Sequence, residues 1–162
     1  MTAPITRHAS LPAALCLVAG CLLMSGCEPS DRRPGLWLSG ELQSQLPADW
    51  SFTDAHPEIF VEVAAPYGLP HSVTIWCAQV DGTLYLGARA PESKRWPGWV
   101  DDDPDVRIEI DDRIYPVRLE PLTAAAEVEQ VAAAYAAKYD LPGGLAGTGG
   151  VSQRYWRVVP RL

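Results

Sequence analysis

Ser72-Val73-Thr74-Ile75-Trp76-Cys77-Ala78-Gln79-Val80-Asp81-Gly82-Thr83-Leu84-Tyr85-Leu86-Gly87-Ala88-Arg89 is the stretch on which the fold turns. Asp81-Gly82 is a favoured pair for a two-residue hairpin turn, because both turn residues need positive φ. The runs on either side are rich in β-branched and aromatic residues, as strands are. Ser72 to Val80 therefore reads as one strand and Thr83 to Arg89 as its antiparallel return. Val73, Ile75 and Cys77 lie on one face of the first strand, and Thr74, Trp76 and Ala78 on the other. Apolar residues on both faces predict a strand covered on both sides. In the return strand Leu84 and Leu86 share a face, with Tyr85 opposite.

Moving outward, Ile59-Phe60-Val61-Glu62-Val63 reads as a strand closed by the turn Pro66-Tyr67-Gly68-Leu69-Pro70. Ala90 to Asp103, rich in Pro, Trp and charge, reads as a loop. Val106 to Ile110 alternates as a half-buried strand, and Asp111-Asp112 turns it into Arg113 to Leu119. Pro116 lacks an amide donor, which predicts an edge or a bulge there. Thr123 is placed to cap a helix over 124–139, with Glu127 near its positive end and Val128, Val131, Tyr135 and Tyr139 in one stripe beside Ala132. Residues 142–150 hold five glycines and are expected to be mobile. Arg154 to Val159 is the last strand. Six strands in hairpins with one late helix predict a mainly β fold: a six-stranded antiparallel barrel with a packed helix in its C-terminal half.

Before this domain lies a segment of different character. Met1 to Ser10 is polar, with Arg7 and His8, and Leu11 to Met24 is an apolar run broken by Pro12 and Gly20. The run is short for a membrane span and has the proportions of an export signal. It ends Leu22-Leu23-Met24-Ser25-Gly26-Cys27, which resembles the lipobox of bacterial lipoproteins. Val18-Ala19-Gly20-Cys21 fits as well, so Cys21 is the alternative. Cys27 is preferred because the polar, tether-like Glu28-Pro29-Ser30-Asp31-Arg32-Arg33-Pro34 follows it, whereas cleavage before Cys21 would leave Leu22-Leu23-Met24 on the mature chain. An uncleaved signal anchor is a further reading. The expected organisation is a signal over 1–26, a lipidated tether over 27–36 and one domain over 37–162. Several acyl chains anchor a protein stably where one is marginal. The bilayer is thus the expected partner, and with Glu28 after the cysteine the resemblance to Gram-negative lipoproteins implies the outer membrane, facing the periplasm.

The net charge is −7, and Arg7 is the only charged residue before Cys27, so the mature part is more acidic still. A nucleic-acid partner is disfavoured, since phosphate neutralisation needs a basic face. With Cys27 lipidated, Cys77 has no partner in the domain and reads as a small buried hydrophobe. Only His56 and His71 remain after the signal, and neither pairs with Cys in a zinc pattern. Asp101-Asp102-Asp103 lacks the alternating ligands of a calcium loop and reads as solvated.

The chemistry-bearing pattern is Ser93-Lys94-Arg95 after the aromatic strand, followed by an acidic loop ending Asp103-Pro104 and the strand Val106 to Ile110. With Ala134-Tyr135-Ala136-Ala137-Lys138-Tyr139 and Tyr155-Trp156-Arg157-Val158, it resembles the pyridoxamine 5′-phosphate oxidase-like split-barrel flavoproteins over roughly 59–160. The resemblance implies that Ser93, Lys94 and Arg95 grip a cofactor phosphate. Hydroxyl, ammonium and guanidinium are the charge-assisted donors a phosphate needs. Trp96, Trp99, Trp76 or Tyr85 would then wall a slot for the ring of FMN or a deazaflavin. It also implies an oxidoreductase-like activity and a homodimer. The basic residue the oxidases carry on the strand matching Ser72 to Val80 is missing, so the oxidase activity itself is not expected. The competing reading is a cofactor-free envelope interaction module, with 93–95 a solvated loop and the tryptophans core.

Overall fold

The computed structural model describes residues 35–141 and 150–161. The signal, Cys21, Cys27, the tether up to residue 34 and most of the glycine-rich 142–150 segment lie outside the described residues.

Eight strands form one sheet: β1 Glu41–Leu42, β2 Ile59–Ala64, β3 Pro70–Ile75, β4 Cys77–Val80, β5 Thr83–Arg89, β6 Asp105–Ile110, β7 Arg113–Pro121 and β8 Gln153–Pro160. Their order is β3-β2-β6-β7-β8-β5-β4, with β1 joined to β7 in parallel. All other pairings are antiparallel. β3 and β4 stand at opposite ends of this order, yet only Trp76 separates them in the chain. The continuous segment Pro70–Val80 therefore bends at Trp76 and closes the sheet on itself. Counted once, it makes six staves, and β1 is an addition.

This corrects the reading of Ser72 to Val80 as one uninterrupted strand. Local preference favours extension throughout, but the Trp76 carbonyl is taken by the Tyr135 hydroxyl at 3.0 Å, and Trp76 stands 42% exposed at the bend. Cys77 and Ala78 are buried on the two faces, whereas Thr74 and Trp76 are not. The hairpin forms as the turn chemistry requires, with φ of 50° at Asp81 and 77° at Gly82. Asp111 and Asp112 also take positive φ, at 52° and 58°. Pro116 is not on an edge strand. It faces Arg107 of β6, and on the other side of β7 it falls between the residues paired with β1 (113–114) and those paired with β8 (117–121). The missing amide is tolerated in that gap.

Among the described residues two α-helices complete the fold, α1 Trp96–Asp102 and α2 Ala125–Lys138. α1 corrects the reading of 90–103 as a loop, as does a 3-10 turn over Pro91–Ser93. Pro97 in the first turn costs no hydrogen bond there, and Trp96 and Val100, four apart, both bury. α2 starts without a side-chain cap. Ala124 occupies the cap position, and Thr123 is exposed. The chain is still tied to β8 at Leu122, whose amide donates to the Tyr155 carbonyl at 2.9 Å, so Thr123 is not turned to the helix amides. Glu127 instead accepts from Tyr85 Oη at 3.0 Å and Arg157 Nε at 3.1 Å.

The alternation of β5 and β8 divides the core in two. Leu84, Leu86, Trp156 and Val158 point into the barrel, with Cys77, Trp96 and Val100. Tyr85 and Tyr155 point outward beneath α2, against Val131 and Tyr135. Trp50 closes the barrel edge-on to Tyr115, at 5.2 Å between rings. No helix among the described residues is long and apolar enough to cross a membrane.

Candidate functional site: an aromatic cavity beside the barrel closure

The bend at Trp76 opens a cavity of about 320 Å³ between the β3–β4 corner, β5, β8, the start of α1 and α2. Its volume lies at the small end of the ~300–1,000 Å³ usual for small-molecule sites. Trp76, Trp96, Tyr135 and Tyr155 supply aromatic walls, Lys94 and Arg89 are its cations, and Glu58, Thr74 and Gln153 also line it.

Each wall is held from behind. Trp76 stacks on Tyr139, with ring centres 4.2 Å apart and planes 10° from parallel. Tyr139 is itself fixed, since its one hydroxyl proton is shared between the carbonyls of Pro57 and Cys77, each 2.9 Å away, and its oxygen accepts from the Cys77 amide at 3.0 Å. Burial raises the Tyr139 phenol well above its ordinary range. Trp96 packs on Trp156 at 5.1 Å. Tyr135 shares its one hydroxyl proton between the carbonyls of Trp76 and Tyr85, at 3.0 and 3.2 Å. Gly87 admits this arrangement. A Cβ there would lie 3.0 Å from Tyr135 Oη and 3.1 Å from the Tyr155 ring.

Of the residues singled out in the sequence, the fold brings Trp76, Lys94 and Trp96 to this cavity. Ser93, Arg95, Trp99 and Tyr85 do not line it. Ser93 Oγ donates to the Ala90 carbonyl at 2.7 Å, closing its own turn. Arg95 is the exposed residue before α1. Trp99 faces the other way, edge-on to Tyr67 at 5.8 Å and to His71 at 5.1 Å. Tyr85 lies under α2, its hydroxyl on Glu127. Cys77 is fully buried 3.5 Å from Lys138 Nζ, and burial raises its thiol in spite of that ammonium. Asp101 is paired with Arg154.

Gln153 and Tyr155 are the cavity residues that strand pattern alone does not reveal. Gln153 Nε2 and Tyr155 Oη are buried without a hydrogen-bond partner in the described protein. Burial pushes the Tyr155 phenol up to about 12.

A larger cavity, about 490 Å³, lies by the β2 end and the 65–70 turn. Glu62, Asp105, Arg107 and Arg161 line it, with no aromatic wall. Glu62 is already bound by Arg107, and Asp105 by Arg118. Its charges compensate one another, which makes it a poorer host for a planar ring.

No protein-family model matches the sequence, and neither does any curated protein. Solved structures do match in shape. The heme storage protein HutZ from Vibrio cholerae is 13% identical with a TM-score of 0.54, covering 68% of this chain and 86% of its own. An F420-H2 dependent reductase, FDR-A, is 15% identical at 0.51, covering 64% and 94%. A structure described as a domain-swapped dimer is 16% identical at 0.52, covering 64% and 80%. At such identities the likeness establishes the fold, an antiparallel split barrel, as expected from the sequence.

Proposed function

We propose that this domain binds a flavin-class cofactor, FMN or a deazaflavin, in the aromatic cavity and serves an oxidoreductase-like role. The observation that carries the reading is the cavity itself: aromatic walls held from behind and a lysine at one rim. The residues fit the group. Trp76, 42% exposed, offers a face to a planar ring, and the edge of Trp96 closes the wall behind it. Lys94, with Arg89 beside it, supplies positive charge for a phosphate, while Ser93 and Arg95 are left out of that role. The cofactor would bring the redox chemistry, and the protein would orient and desolvate it. The similarity in fold to an F420-H2 dependent reductase supports the reading, and the fold shared with a domain-swapped dimer supports a homodimer.

The test is a fluorescence titration of the purified protein with FMN and with riboflavin, which lacks the phosphate. Lys94→Ala should weaken FMN roughly 5- to 30-fold, the range for one charge-assisted contact at a wet rim, and riboflavin less than about twofold. Equal losses for both would remove Lys94 from the phosphate, and no binding of either would sink the reading.

The N-terminal segment belongs to the same proposal. Cys27 carries the lipid, and the domain stands on the bilayer, at the outer membrane facing the periplasm. The apolar run, the small residues before Cys27 and the polar tether after it support this. Labelled palmitate should be incorporated by the wild type and by Cys21→Ala but not by Cys27→Ala. The reverse pattern would move the anchor to Cys21.

A further inference from the structure

Resting on the lipid-anchor reading above, we propose that Leu36, Trp37, Tyr67 and Leu69 form a surface that seats in the interfacial layer of the bilayer. All four side chains are open to solvent: Leu36 is 45% exposed, Trp37 56%, Tyr67 52% and Leu69 45%. They come from two segments that the fold joins. The Leu36 carbonyl accepts from Ser72 Oγ of β3, and the Leu38 amide donates to Glu62 Oε2 of β2 at 2.7 Å. Ser72 and Glu62 are paired directly across the two strands. The segment carrying Trp37 is thus pinned on both sides of it. Leu38 is buried, whereas Trp37 is left outside. Tyr67 and Leu69 belong to the turn between the same two strands. Leu69 is three residues from Ser72, about 10 Å along an extended chain. Of the other exposed large apolar residues, Trp76 walls the aromatic cavity, and Leu42 and Phe52 lie on separate elements.

Three observations favour lipid as the occupant. The first is where the anchor joins. Residues 28–34 link Cys27 to Gly35, and fully extended they reach about 28 Å. A domain of this length is roughly 35 Å across, so the link is too short to lead the lipid round to the far side. The second is size. The four side chains expose about 400 Å², half of the ~800 Å² that each partner gives to a standard protein interface. A fluid bilayer needs no matching shape and accepts a small patch. The third is chemistry. Tryptophan and tyrosine beside aliphatic residues are the side chains favoured where acyl chains meet headgroups. The Tyr67 hydroxyl sits 3.0 Å from His71 Nδ1, so its polar end is already provided for. Glu62 and Asp105, which share a cavity with Leu69, are bound by Arg107 and Arg118. Seating therefore presses neither acid unpaired against the phosphate headgroups.

The test uses the full chain, expressed with its own signal, purified in acylated form and placed in phosphatidylethanolamine–phosphatidylglycerol vesicles. Lipids brominated on the acyl chains quench tryptophan emission on contact. They should quench the wild type, and Trp37→Ser should lose most of that quenching. Leu69→Glu keeps Trp37 but places a charge on the adjoining turn. It should lower the ratio of seated to free protein about 5- to 10-fold, read as weaker quenching. Both positions are exposed, so melting temperatures should stay within about 2 °C of the wild type. An acylated wild type that brominated lipid does not quench would overturn this inference and leave the anchor reading intact. A second copy or another protein covering the surface would give that same result. Quenching that Trp37→Ser or Leu69→Glu leaves as strong as before would also overturn it. A wild type that takes up no palmitate would overturn the anchor reading and this one with it.

Discussion

Trp96→Ala is expected to destabilise the protein by about 3–5 kcal/mol, the cost of truncating a large aromatic in a packed core. Trp96 is 5% exposed, and its ring meets Trp156, which is fully buried. It is also the first residue of α1 and, with Val100, ties that short helix to the barrel. Alanine is a good helix former, but propensity offsets at most a fraction of the loss. Urea denaturation should show a lower midpoint with an unchanged slope, and thermal melting a drop of roughly 10–20 °C. A residue that only walled an exposed slot would cost under about 1 kcal/mol. A loss that small would show that the Trp96 side chain is not a core element. The same ring lines the cavity, so the variant should also bind flavin more weakly at temperatures where it is folded.

The second large effect is expected at Arg107→Leu. Glu62 is a carboxylate inside the fold, its side chain 8% exposed. Arg107 holds it in a fork, Nε to Oε1 at 2.8 Å and Nη2 to Oε2 at 2.6 Å, and the Leu38 amide donates to Oε2 at 2.7 Å. Removing the arginine leaves a buried charge with one backbone donor. Breaking a buried pair costs about 3–5 kcal/mol, reduced here to about 2–4 because Arg107 is 32% exposed and water can enter. The joint change Glu62→Leu with Arg107→Leu should recover part of the loss, because no unpaired charge remains. Recovery should be incomplete, since the Leu38 amide then lacks an acceptor. Urea midpoints for the two single variants and the double would test this. A double variant less stable than Arg107→Leu would contradict it, and so would a single loss under about 1 kcal/mol.

These residues show what could be read from the sequence. The Asp81-Gly82 hairpin was legible because a two-residue turn with two positive φ values admits few residue types. The stripe through Val131 and Tyr135 marked α2, since a helix buries one face. The bend at Trp76 was not legible. Every residue near it favours extension, and the bend is imposed by closure of the barrel, a relation between β2 and β5 that no local pattern carries. α1 could have been found, because Pro97 in a first turn followed by Val100, four residues after Trp96, is a helix signal. The density of Pro, Trp and charge masked it.

The site divided in the same way. Ser93-Lys94-Arg95 reads as a unit in sequence, but the 3-10 turn that ends at Ser93 and the helix that begins at Trp96 give the three side chains different surroundings, and only Lys94 of the three lines the cavity. Tyr85 was a reasonable aromatic wall, and it does share its face of β5 with the cavity residues Gly87 and Arg89, but it lies further along the strand, beneath α2 and on Glu127. Gln153 and Tyr155 look like ordinary alternating strand residues. What marks them is an absence of partners, which becomes visible only when neighbouring strands are in register.

The central claim is that a flavin ring seats in the cavity beside Trp76, and visible circular dichroism measures it most directly. Free FMN gives only weak signals in its absorption bands, whereas a ring fixed among asymmetric aromatic walls acquires strong ones. FMN added to the protein should gain an induced signal that saturates at one flavin per cavity, shrinks in Trp76→Ala and persists in Trp99→Ala, whose ring lies away from the site. A spectrum equal to the sum of protein and free FMN, at concentrations where binding should be complete, would contradict the account.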